Sequence, residues 1–220
     1  MVDLDPISDV VHQHFRAKNQ AREEALGLSR EALRSSANAI RAVHRHDFER
    51  AEELTATARA RLQRAAEVLV DHPDVLYAGF VQDAQKEYAE AVATYSIVRG
   101  EPLPNRNALQ ITWQAYLNGL GEAVGELRRY VLDKLRRGAL SGSEDLLQAM
   151  DDIYDLLVTI DYPDSMTGGL RRTTDMVRGV LERTRGDLTM ALRQHELERK
   201  LSEAERGMAD DRPGGQGPSE

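Results

Sequence analysis

The sequence predicts an all-α protein, and three observations carry that prediction. Seven prolines (Pro6, Pro73, Pro102, Pro104, Pro163, Pro213 and Pro218) leave four long proline-free blocks: 7–72, 74–101, 105–162 and 164–212. Proline lacks a donor and clashes inside a helix, so these blocks are natural helical units. They are rich in Ala, Leu, Glu, Arg and Gln, the good helix formers, and none shows sustained period-2 alternation. Helices are therefore expected at roughly 7–45, 48–71, 75–98, 107–137, 143–161 and 168–206.

Asp47 can cap the second helix, and Ser141 or Ser143 the fifth. Gly168-Gly169 suits either the start of the last helix or the turn before it. Residues 207–220 hold four of the 16 glycines and two of the seven prolines, which predicts a disordered polar tail after a single domain over 1–206. At 220 residues the chain has ample length for one core. The absence of cysteine excludes disulfides, thiol nucleophiles and thiolate metal sites. Neither a signal-like apolar N-terminus nor a run of about 18 apolar residues is present, so a soluble, cytoplasmic protein without membrane association is expected. Net charge is −8, and only four of 29 basic residues are lysine.

Three helical faces suggest chemistry. In the first helix, Arg16, Arg30, Arg34, Arg41 and Arg45 fall within a sector of roughly 60° on an ideal wheel, interrupted by Glu23. Phe15, Leu33, Ile40 and Val43 lie to one side, where they can enter the core. Such a stripe is either a solvated face or a track for phosphates, which arginine binds bidentately. The third helix carries Glu87 and Glu90 at the edge of an apolar stripe from Tyr77 to Val98, near enough to reach one point.

The fourth helix carries Glu122 and Glu126, opposite a stripe that runs from Trp113 to Leu135. Ala115, Gly119, Gly121, Ala123 and Gly125 line the glutamate side, although each helical glycine costs about 1 kcal/mol relative to alanine. Small residues there admit a second backbone, which can bring the two carboxylate pairs together. Four carboxylates from two helices make a hard, all-oxygen site suited to Mg²⁺ or Mn²⁺. No histidine follows a glutamate at the ferritin-like spacing, and no Walker, dinucleotide, zincin or nucleophile-elbow motif is present; His12 and His44 lie near the arginine stripe, and the other histidines are expected in ordinary surface or packing roles.

Several segments together resemble the translin family, which includes translin and translin-associated factor X. Gln85-Lys86-Glu87-Tyr88-Ala89-Glu90-Ala91 is similar to its Gln-Glu-Tyr-x-Glu-Ala signature, with a lysine where glutamine is usual. Tyr116 to Arg129 resembles Tyr-Leu-x-Gly-Leu-x-Asp-x-x-Gly-Glu-Leu-x-Arg, with Glu122 in place of aspartate. Arg30 to Arg45 resembles the family's first helix, and Tyr162 to Glu182 its C-terminal helix. The resemblance implies an all-α protomer that assembles into a hollow homo-oligomer, often an octamer, and binds single-stranded RNA or DNA. It further implies that Glu87, Glu90, Glu122 and Glu126 form a metal-dependent endoribonuclease site. Two rival readings remain: a translin-like binding module without catalysis, and an all-α Mg²⁺-dependent nucleotide pyrophosphatase. A helical scaffold without a ligand is the blandest alternative.

Overall fold

The computed structural model describes residues 4–210. Among the described residues there are nine helices and no strand: α1 (Asp5–His44), α2 (Phe48–Val68), α3 (Pro73–Leu76), α4 (Gly79–Arg99), α5 (Arg106–Leu109), α6 (Trp113–Arg136), α7 (Ser143–Val158), α8 (Asp164–Thr167) and α9 (Leu170–Asp210). No described helix is long and apolar enough to cross a membrane.

α6 is the central element. Leu120, Val124, Leu127 and Val131 recur at helical spacing and are buried against Met150 and Leu157 of α7 and Leu170, Val177 and Leu181 of α9. α1 packs through a ladder of small side chains instead. Ala25, Ser29, Ala32, Ser36 and Ala39 repeat every three or four residues and face Ala51, Ala58 and Ala65 of α2 and Ala84 and Ala91 of α4. Small residues allow close helix approach with little apolar volume, so α1, α2 and α4 form a tight layer beside the bulkier core around α6.

The predicted helices are present, but two are subdivided. The segment expected over 75–98 breaks at Tyr77–Ala78, where Ala78 is extended (ψ 154°) and Gly79 begins α4. The segment expected over 107–137 breaks at Gln110, which adopts a left-handed conformation (φ 59°) that ends α5. α6 then restarts with the Thr112 side chain accepting from the Ala115 amide. The last helix is unbroken, and Gly168-Gly169 (φ 64° and 83°) forms the turn that separates it from the short α8 before it, as this dipeptide suits. Asp47 caps α2 as expected, by accepting from the Arg50 amide. Neither Ser141 nor Ser143 caps α7: Gly142 precedes it at φ 71°, and Ser143 is its first residue.

Three residues expected in the core are exposed: Phe15, Tyr77 and Trp113. Each lies where a helix or its neighbour has ended. Tyr77 is the C-cap of α3, and Trp113 opens α6 with Arg106 over its ring. Phe15 lies on the first part of α1, which precedes the first buried residue, Ala25. The tail expected over 207–220 starts within α9, and 211–220 lie outside the described residues.

Candidate metal centre and nucleic-acid interface

The site arises where α4 and α6 approach most closely. A Cβ added at Gly119 would lie 2.6 Å from both the Ala89 Cβ and the Lys86 carbonyl oxygen, so only glycine permits this contact. Two residues on, a Cβ at Gly121 would lie 2.3 Å from the Thr173 methyl of α9. Glycine thus admits α4 on one side of α6 and α9 on another, as the small-residue spacing suggested. Gly125, by contrast, faces open space.

This approach brings the two glutamate pairs onto one pocket of about 480 Å³. Glu87, Glu90, Glu122 and Glu126 line it together with Ile40, Arg41, Arg129 and Met176. Oxygens of Glu87, Glu90 and Glu122 all lie within 4.8 Å of one another. Glu126 shares the pocket but falls outside that tight trio, because the His44 Nε2–H donates to its Oε2 at 2.5 Å.

Three of these carboxyls are shifted in proton affinity, in opposite directions. Glu90 is only 9% exposed, and burial, followed by the charges of Glu87, Glu122 and Glu126, pushes its pKa up to about 8. Glu87 is raised too, by burial and then by Glu122. Glu126 is lowered, first by the His44 hydrogen bond. A crowded, half-buried set of hard oxygen donors, two of them with raised proton affinity, fits a divalent cation such as Mg²⁺ or Mn²⁺.

Two cationic or hydrogen-bonding partners at this site were not legible in the sequence. The Lys86 ammonium donates to Glu122 Oε1 at 2.7 Å, so the lysine that departs from the family signature pairs with the glutamate that also departs from it. His44 comes from the last turn of α1, and its side chain is 6% exposed. Its position beside the arginine stripe was the one available signal. The ferritin-like spacing rule could not detect it, because its partner lies 82 residues away.

The arginine stripe is less unified. Arg16, Arg30, Arg34, Arg41 and Arg45 are all exposed, and none forms an ion pair among the described residues; Arg41 donates to Asn38 Oδ1. Arg41 alone of the five lines the carboxylate pocket, while Arg16 lies on the first turns of α1 beside His12 and Gln13.

Fold and site together define an all-α protein with a carboxylate pocket between two glycine-packed helices and a free basic stripe along a third. No family model matches the chain. It is 29% identical to an uncharacterized protein of Methanocaldococcus jannaschii over 212 residues, covering 96% of this chain and 94% of that one. Among solved structures, an AfC3PO–duplex RNA complex aligns with a TM-score of 0.77 at 32% identity, covering 83% of this chain and 95% of that chain. AfC3PO crystallised by itself aligns with the same identity and coverage and a TM-score of 0.76. Apo-NeC3PO, at 19% identity and TM-score 0.76, covers 87% of this chain and 100% of its own, a likeness of fold. C3PO structures are of the translin type, and this chain belongs to the translin family.

Proposed function

We propose that this chain binds RNA and cleaves it endonucleolytically with Mg²⁺ or Mn²⁺ held by Glu87, Glu90, Glu122 and Glu126. The carrying observation is the convergence of three half-buried carboxylates within 4.8 Å beside a fourth that His44 holds. AfC3PO, 32% identical, is solved with duplex RNA, which supports RNA as the ligand class. The free arginines of α1 support backbone binding, which single-stranded RNA or DNA would share.

A bound divalent ion supplies Lewis-acid charge at a phosphate oxygen and a more acidic water. The chain's own residues do the remaining work. Arg41 and Arg129, on the pocket wall, bind the non-bridging oxygens of the phosphodiester. A carboxylate of the set that is not bound to the ion takes the proton from the attacking oxygen. Glu126, kept ionised by His44, contributes fixed negative charge.

Assembly belongs to the same proposal. Ile7, Val10 and Phe15 on α1 and Met190, Leu197 and Leu201 on α9 are exposed apolar side chains that a closed homo-oligomer, octameric as in the family resemblance, would cover.

A specific observation favours a second reading, binding without catalysis: Lys86 and His44 already occupy Glu122 and Glu126. One experiment separates the two. Purified protein, shown by light scattering to be a single oligomer, is incubated with single-stranded and duplex RNA with and without Mn²⁺. Metal-dependent cleavage that Glu126→Gln abolishes, with RNA affinity retained, supports the nuclease. Tight binding without cleavage leaves the binding module, and a monomer that neither binds nor cuts RNA overturns both.

A further inference from the structure

A second and larger pocket, about 820 Å³, adjoins the carboxylate pocket and shares Glu122 and Met176 with it. Its other walls come from the start of α4, the start of α6 and the first turns of α9. Two cations face it. Lys86 lies on the partition, donating to Glu122, and Arg172 is exposed with no ion-pair partner among the described residues. The amides of Gln82 and Gln114 supply both donors and acceptors, and the Gln82 Nε2 is buried without a partner. Tyr77 also lines the pocket, and its ring is 64% exposed. Asp83 is the pocket's one acid besides Glu122.

We propose that this pocket seats one unstacked nucleotide of the RNA strand beside the phosphodiester to be cut. Lys86 and Arg172 take its phosphate, Tyr77 stacks on the base, and the glutamine amides meet the base edge. The inference rests on the nuclease reading and refines its substrate. Aromatic stacking together with amide hydrogen bonding reads a base splayed out of the helix, whereas the interior of an A-form duplex hides those groups.

The test uses the full chain without divalent ions and a 5′-phosphorylated ribodinucleotide as the probe, titrated by calorimetry. Arg172→Gln and Tyr77→Ala alter exposed side chains, and each is expected to weaken dinucleotide binding roughly tenfold. Arg178→Gln, on the same helix and paired with Asp175 outside the pocket, serves as the control and keeps wild-type affinity. Unchanged affinity in the first two variants, an equal loss in the control, or no dinucleotide binding by the wild type overturns the proposal. A wild type that cuts RNA while Arg172→Gln and Tyr77→Ala leave dinucleotide affinity intact removes the pocket and keeps the nuclease. Selective loss of dinucleotide binding in a protein that never cuts RNA supports the pocket and removes the nuclease.

Discussion

The carboxylate pocket and the arginine stripe are both charged features, and α1 contributes to both, yet they are built in opposite ways. The pocket gathers charges from helices far apart in sequence into one half-buried point, using glycine to let backbones touch. The stripe spreads like charges along one helix over about 43 Å, from Arg16 to Arg45, all in solvent. Burial raises the pKa of Glu90 to about 8, whereas the arginines keep water and need no neighbour. Convergent, desolvated charge is suited to chemistry at one atom. Distributed, solvated charge is suited to holding a polymer.

The largest expected effect comes from prising the pocket apart. Gly119→Ala places a methyl 2.6 Å from the Lys86 carbonyl, so α4 and α6 must separate. Overpacking of this kind costs about 1–3 kcal/mol, and a drop in melting temperature is expected together with weaker Mn²⁺ binding. Gly125→Ala sharpens the point. Its methyl meets open space, so the melting temperature holds or rises slightly through helix propensity.

Next is the stripe. Changing Arg30, Arg34, Arg41 and Arg45 together to Gln is expected to weaken RNA binding across sequences and flatten its salt dependence, with the melting temperature unchanged. Retention of the wild-type salt slope, measured by anisotropy, would reduce the stripe to a solvated face.

A smaller effect is expected from Lys86→Gln, which frees Glu122 and removes a cation from the partition. Mn²⁺ affinity measured by calorimetry should rise roughly tenfold, the equivalent of about 1.4 kcal/mol. An unchanged affinity would mean that Glu122 is not a ligand.

The last expected effect is a pH dependence of stability. The folded protein holds a proton on Glu90 up to about pH 8, whereas the unfolded chain releases it near the ordinary value of 4.5. This group's contribution is fully present below the ordinary value and is lost as pH rises through about 8. Glu126 has the opposite sign: its contribution is present above the ordinary carboxylate value and lost as pH falls through its lowered folded value. Metal-free protein is expected to melt progressively lower from about pH 5 to about pH 8, and Glu90→Gln should flatten that decline. A wild-type slope in the variant would place the titrating group elsewhere.

The comparison also explains what could be read from the sequence. The glutamate pairs were legible because their helical spacing is local, and the glycines beside Glu122 report a close backbone contact wherever its partner lies. The all-α class and the Asp47 cap are local in the same sense. His44 and Lys86 were not legible as partners of Glu126 and Glu122, since each pairing depends on the register between two packed helices. The break at Gln110 is tertiary as well. A non-glycine residue adopts φ 59° there while its side chain accepts from Gln63 on α2 at 2.6 Å, and the adjoining Thr112 amide donates to Gln85 on α4. Trp113 read as core because helical periodicity does not reveal that a helix starts at that residue.

The long first helix has a consequence for how firmly each part of the stripe is held. Up to Ala25 it buries no side chain and is tied by the Lys18–Asp74 and Glu24–Arg64 ion pairs and the partial packing of Ala21, whereas from Ala25 to Val43 it is packed along its length. Amide protons in the first turns can therefore exchange by local fraying, while those beyond Ala25 exchange only when α1 parts from α2 and α4. One continuous helix thus has a gradient of opening free energy. Arg16 rides on the end with fewer tertiary contacts, and Arg30 to Arg45 lie on the packed stretch that also carries His44 to the carboxylates.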